Sequence, residues 1–171
     1  MKTTHQTAPT GRTDPAARPR TPRTPRTAVE VFDRAKELLL AHDMLGFADL
    51  WAVDGTMEFP FAPPGRPSRL EGREAVREYV RDYTDHLDVR AVTHDVRHRT
   101  EDPDTLIVEF AVEGVAVRTG RPYRMAYVAF ITVDGGEITA YRDYWNPLAA
   151  GHTLGILDEL TTAYAEGRAD G

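Results

Sequence analysis

Asp143 stands between two aromatic residues in the run Thr139-Ala140-Tyr141-Arg142-Asp143-Tyr144-Trp145-Asn146-Pro147. The run is rich in β-branched and aromatic types and reads as a strand. Pro147 ends it, having no N–H to give to a ladder. Side chains alternate across a strand, so Tyr141, Asp143 and Trp145 share one face. Buried between rings, a carboxylate loses hydration, and its pKa rises toward the range where it can take and return a proton. On an exposed face the same residue is a solvated aspartate, paired with a neighbouring arginine. Both readings stay open on the sequence.

Two further side chains could share the chemistry. Glu58 is a second carboxylate. If it faces the same space as Asp143, repulsion keeps one of the two protonated and the pair divides acid and base roles. If not, it closes a strand end or pairs with Arg66 or Arg69. His94 alternates with Val92 and Val96 on what reads as an apolar strand face. There it could donate to an enolate or orient Asp143, or simply be a satisfied core histidine. His94 and His98 are not read as a metal site. Four residues of strand span ~13 Å, too far for one ion bound at ~2.1 Å.

Trp51, Tyr79, Tyr83 and Tyr127 are candidate pocket-lining residues, as are Phe110, Met125, Tyr141 and Trp145. The tyrosine hydroxyls could polarise a carbonyl oxygen, or the rings could be plain core packing. Ser68 is the only serine and lies in a proline-rich loop, so no serine nucleophile is read. The glycines fall at turns, not in a phosphate loop.

The elements that must position these residues follow from periodicity. Residues 28–42 carry the stripe Val31, Phe32, Ala35, Leu38, Leu39 and read as a helix. Asp43 can cap a short second helix running through Trp51. Val53-Asp54-Gly55 reads as a turn, 56–61 as a strand, and the proline-rich stretch 62–67 as a loop. Residues 73–86 read as one helix. Strands are expected over about 89–99, through Leu106 to Val112, over 123–133, and over 137–146 after the hairpin signal Gly135-Gly136. In the first of these, Val92, His94, Val96 and His98 are expected inward, and Asp95 and Arg97 in water. A short helix is expected near 153–164. The order predicts an α+β fold: a curved antiparallel sheet with N-terminal helices on its concave face, forming an open cone.

The chain has 171 residues, no cysteine and a formal charge of −6. Residues 1–27 read as a disordered Pro/Thr/Arg-rich tail, leaving 28–171 as the domain. The tail holds six basic side chains and one acidic, so the remainder carries −11. Such a body is a poor nucleic-acid binder. No apolar run is long enough to span a membrane. The N-terminus lacks the apolar core of a secretory signal, and the missing cysteines fit a reducing cytoplasm.

The stretches Met57 to Gly65, Glu71 to Val76, Gly120 to Tyr123 and Gly136 to Pro147 together resemble the SnoaL-like branch of the nuclear transport factor 2-like superfamily. That superfamily also holds ketosteroid isomerases, limonene epoxide hydrolases and phenazine-type proteins. The resemblance covers about residues 30–150, and its most specific part is Arg142 to Pro147. It implies an α+β cone, often dimeric through the outer sheet face, with Asp143 turned into the pocket as the catalytic acid. Epoxide hydrolases of this group add an arginine and an aspartate where this chain has the apolar Phe110 and Val112. Their tyrosine and asparagine on the first strand fall at Glu58 and Pro60. The phenazine-type histidine falls near Tyr79. The expectation is therefore a cofactor-free cyclase or isomerase of polyketide-type metabolism, acting on a hydrophobic carbonyl compound. The alternatives are a binding protein without catalysis and a hydrolase.

Overall fold

The computed structural model of the protein describes residues 26–166. The expected tail, up to residue 25, lies outside the described residues. Helix α1 (Ala28–Leu40) starts at Thr27, whose hydroxyl accepts from the Glu30 N–H at 3.3 Å while Glu30 accepts from the Thr27 N–H at 2.8 Å. This reciprocal cap satisfies two donors that a helix start leaves open. Val31, Phe32, Ala35 and Leu38 bury its inner stripe. Asp43 caps α2 (Met44–Ala48) by accepting from the Gly46 N–H.

Trp51 does not extend α2. It opens strand β1 (Trp51–Glu58), and the expected turn at 53–55 is an irregularity within that strand. Gly55 is required there: a β-carbon would meet the Ile138 carbonyl at 2.4 Å. Strand β2 (Arg69–Glu71) follows. The expected helix 73–86 divides into α3 (Arg73–Val80) and α4 (Tyr83–His86). Then come β3 (Leu87–Arg99), β4 (Thr105–Ala116), β5 (Pro122–Asp134) and β6 (Glu137–Trp145). Helices α5 (Pro147–Leu154) and α6 (Leu157–Glu166) take the place of the single terminal helix expected. Pro147 thus ends β6 and also occupies the first turn of α5. Asn146 caps that turn, accepting from the Leu148 and Ala149 N–H groups.

The six strands form one curved, open sheet in the order β2-β1-β6-β5-β4-β3. The expectation of a wholly antiparallel sheet needs correction, because β1 and β6 pair in parallel. The hairpins join neighbours in sequence, but β1 returns to the sheet beside the last strand. The β5–β6 turn has Gly135 and Gly136 both at positive φ, 57° and 86°, as a two-residue hairpin of matching twist requires. The N-terminal helices cover one face. Beneath them lie Trp51, Val76, Val108, Val112, Ile131 and Ile138, each 2% exposed or less. Burying a side chain of this size contributes about 1.5–3 kcal/mol. Among the described residues no helix is long and apolar enough to cross a membrane.

Strand β3 departs most from its expected facing. Its register against β4 slips between Val89 and Ala91 and again between Val92 and His94. Each slip inserts one residue and turns the following side chains over. His94, Val96 and His98 therefore lie on the outer face, where His98 meets Glu109 at 2.8 Å. Asp95 and Arg97 turn toward α1. Arg97 bonds Asp33 at 2.5 Å and Asp95 at 2.8 Å, Lys36 pairs with both aspartates, and both cations stand over the Phe32 ring. This quartet pins α1 to the far edge of the sheet.

The Arg97 hydrogen bond is the main reason Asp33 is held below its ordinary value and Asp95 is lowered to about 2. Stability from such carboxylates is complete above their unfolded pKa and is lost as pH falls through the folded one. Both side chains are partly solvated, so Arg97→Ala is expected to cost only about 1 kcal/mol at neutral pH. The gap between wild type and variant should close as pH falls from 3.8 toward about 2. Urea unfolding at both ends of that range measures it.

Candidate active site

β6 lies inside the sheet, between β5 and β1, so its register is fixed from both sides. Across β5, Tyr141 pairs with Ile131, Asp143 with Ala129 and Trp145 with Tyr127. Tyr141, Asp143 and Trp145 share the helix-covered face, as alternation requires. Directly opposite Asp143 is Ala129, fully buried.

Asp143 as a whole is partly accessible, yet its Oδ1 is sealed from solvent and has no hydrogen-bond partner. The two measures describe one geometry: part of the residue borders open space while one oxygen is shut in. Burial is the sole cause that pushes its pKa up, from 3.8 to about 7. No neighbouring cation offsets it.

Tyrosines surround the carboxylate. Burial, and after it the Asp143 charge, raises the pKa of Tyr141 and of Tyr79. Burial likewise raises Tyr83, Tyr123 and Tyr127, with Asp143 contributing to each. All five phenols therefore stay protonated at neutral pH and serve as hydrogen-bond donors. The Tyr123 and Tyr127 hydroxyls bond each other. Tyr83, Tyr127, Asp143 and Trp145 are all half-buried, as residues bordering an opening are.

Tyr123 was not among the sequence candidates. The signal was available: Tyr123, Met125 and Tyr127 alternate along β5 and so share a face. Met125 is buried in the core, and Phe110 stacks flat on Tyr127, centroids 4.9 Å apart at 11°. Trp51 packs as core. It is fully buried, its indole N–H donates to the Thr56 carbonyl, and its ring lies against Phe47 and Tyr141.

Glu58 and His94 are not brought to Asp143. Glu58 pairs in register with Arg142, on the outer face, and its carboxylate is held by Arg69. The expectation of two carboxylates sharing one space therefore fails, because Met57 and not Glu58 takes the inner position. His94 is exposed on the outer face, turned there by the second slip in β3. It borders a groove of about 540 Å3 with Phe61, Glu109, Val128 and Tyr144. This groove reaches Tyr127 and Trp145, but Asp143 does not line it. The perturbed carboxylate lies on the inner face.

The profile of the SnoaL-like domain matches residues 30–141. The chain belongs to this family. It is 37% identical over 128 residues to the uncharacterised Bacillus subtilis protein YesE, covering 75% of this chain and 87% of that one. It is 40% identical over 129 residues to the uncharacterised PhzA/B-like protein PA3332 of Pseudomonas aeruginosa, covering 75% and 90%. A crystal structure from Bacillus subtilis, provisionally called an isomerase, superposes with a TM-score of 0.73 at 36% identity, covering 75% of this chain and 93% of that one. β6 enters the matched span and carries Asp143 just beyond it.

Between 3.8 and about 7 the unfolded chain carries Asp143 charged while the folded chain keeps it protonated. The stability this site contributes is complete at the lower value and is lost as pH rises through the upper one. Asp143→Asn removes that loss. With a discount for partial solvation, it should stabilise the protein by on the order of 1–3 kcal/mol at pH ~8 and by little at pH ~4. Thermal unfolding at the two pH values tests this. Carbon-13 NMR of the Asp143 carboxyl should give a midpoint near 7.

Proposed function

We propose that this SnoaL-like protein is a cofactor-free acid/base enzyme, an isomerase or cyclase acting on a hydrophobic small molecule with an enolisable carbonyl. One observation carries the reading: the buried Asp143 carboxyl with an unpartnered oxygen and a pKa of about 7. Such a group is a base strong enough to act near neutrality and, once protonated, an acid able to return the proton. The carboxylate takes a proton from carbon next to the carbonyl, and the electron pair passes into an enolate. For isomerisation, Asp143 returns the proton to a different carbon. For aldol closure, the enolate carbon bonds to a second carbonyl carbon of the same molecule, and the proton goes to the new alkoxide. The ring-lined face favours a hydrophobic substrate and holds it in a reactive conformation.

We also propose that two copies meet across the outer sheet face. The groove there, the exposed Phe61 against Tyr144 and the exposed Val96 support this reading. Buried in a dimer, they would leave less apolar surface in water.

Proton exchange reads the reaction without knowledge of the natural substrate. A panel of cyclic and β-dicarbonyl ketones in heavy water, followed by proton NMR, should show enzyme-dependent loss of α-protons. The rate should rise with pH through about 7 and then level off, because the base acts ionised. Asp143→Asn should lower it about 100- to 10,000-fold with the fold intact. Full exchange in that variant removes Asp143 from the mechanism. Sedimentation should show a dimer that Phe61→Glu converts to monomer; a monomeric wild type rules the interface out.

A further inference from the structure

Among the described residues Asp143 has no ion-pair partner, and its sealed Oδ1 has no hydrogen-bond partner either. Part of the residue still borders open space. A buried carboxylate in this state is costly in its charged form until a cation reaches it.

The surroundings select the kind of cation. Tyr141 and Trp145 stand two residues to either side of Asp143 on the same face, each ~7 Å along the strand. Tyr127 pairs with Trp145 and is the diagonal neighbour across β5. On the other flank Met57 pairs with Tyr141, which brings the next inner residue, Phe59, level with Asp143. The Tyr79 ring lies 4.9 Å from that of Phe59, and Tyr79 and Tyr83 both feel the Asp143 charge. Rings from β5, β6, α3 and α4 thus surround one carboxylate. The face of an aromatic ring is negative and attracts a cation placed over it. A primary ammonium is compact and strongly hydrated, and would have to shed that water here. Among the described residues no three His, Cys, Asp or Glu side chains are grouped to hold a metal ion. An ammonium wrapped in apolar substituents gives up little water and gains both the rings and the carboxylate.

We infer that the inner face is also a binding site for an organic ammonium ion, a tertiary or quaternary amine with apolar substituents, held by the Asp143 carboxylate and the ring faces around it. This goes beyond the acid/base reading and does not depend on it. Cation and proton compete for one carboxylate, so a bound ammonium keeps Asp143 ionised and withdraws it as a base. The charge of −11 on the chain beyond its tail works in the same direction, drawing cations in and turning anions away.

The groups that face Asp143 are phenols: Tyr79 of α3, Tyr83 of α4, Tyr123 and Tyr127 of β5, and Tyr141 of β6. All have raised pKa values and stay protonated at neutral pH. Arg66, on the loop after β1, acts on Tyr79 but is not a cause of the Asp143 shift. His94 and His98 lie on the outer face. Any pH dependence of cation binding near neutrality therefore belongs to Asp143.

The probes are phenyltrimethylammonium, which has no proton to titrate, and tert-butylbenzene, its uncharged isostere. In proton NMR of the full chain at pH ~8, the ammonium methyl signals should move upfield and saturate, as protons seated over ring faces do. Absence of saturable binding overturns the inference. tert-Butylbenzene should bind about tenfold more weakly or worse, the worth of a cation over desolvated rings. Equal affinity for the two means plain apolar burial and ends the proposal. Measured by calorimetry, wild-type affinity for the ammonium should rise about tenfold or more from pH ~5 to pH ~8, levelling off above about 7, because the ionised carboxyl binds it. A flat profile counts against the site. Asp143→Asn should bind the ammonium about tenfold more weakly or worse at pH ~8, with no pH dependence, and an unchanged affinity removes Asp143 from the site. Wild type at pH ~5 should match that variant, which separates lost charge from lost fold. Full α-proton exchange by Asp143→Asn would overturn the acid/base reading while leaving this titration standing, so the two failures are separable.

Discussion

A carboxylate without a counter-charge on the helix-covered face of the sheet is the constraint on which the site depends. Burial alone raises Asp143 to about 7, and Oδ1 has no partner. Folding tolerates this because β6 is locked between β5 and β1 and cannot rotate its side chains away. A slip of one residue would place Asp143 in water and bring Arg142 and Tyr144 inside. The two-residue turn at Gly135-Gly136 sets the register at one end. At the other, Asn146 and Pro147 end the strand by starting α5, which stops it two residues past the carboxylate.

Charge elsewhere is kept apart from this site. Asp33, Lys36, Asp95 and Arg97 neutralise one another at the edge where α1 meets β3. Glu58 is held by Arg69 on the outer face. Arg69 is thus engaged by Glu58, and Arg142 faces away over the Phe130 ring. Acid should loosen the α1 quartet and alkali should strain the Asp143 site, because one set of carboxyl groups is depressed and the other raised.

The strands with one residue per rung were legible in the sequence. β5, the part of β6 from Tyr141 to Trp145 and the inner row Leu106, Val108, Phe110 and Val112 of β4 follow plain alternation. Asp143 and most of the aromatic residues near it could therefore be placed. β3 could not, because two inserted residues invert its faces and no local pattern marks them. His94 was misplaced for that reason. On the sequence Glu58 stays open between the pocket and a pairing with Arg66 or Arg69, because its facing depends on pairing with β6, a parallel contact made across most of the chain; the pairing with Arg69 is what the structure shows. The irregularity at Val53-Asp54-Gly55 looks like a turn because glycine suits both a turn and a close backbone approach. The stripe Val76, Tyr79, Val80 and Tyr83 runs across the break between α3 and α4, so periodicity does not mark it.

The family and its fold narrow the chemistry less than the inner face does, since one fold supports many reactions. Hydrolysis by an activated water needs several polar partners to hold that water in line for attack. The inner row of β4 offers none: Phe110 and Val112 are buried and apolar, and Phe110 is stacked on Tyr127. What the site does offer is one proton acceptor of tuned affinity and a set of phenol donors that stay protonated. A reaction that moves a proton off carbon and needs its developing oxygen charge held uses both. The proposal of proton transfer at carbon therefore rests on the distribution of polar atoms more than on the outline of the fold.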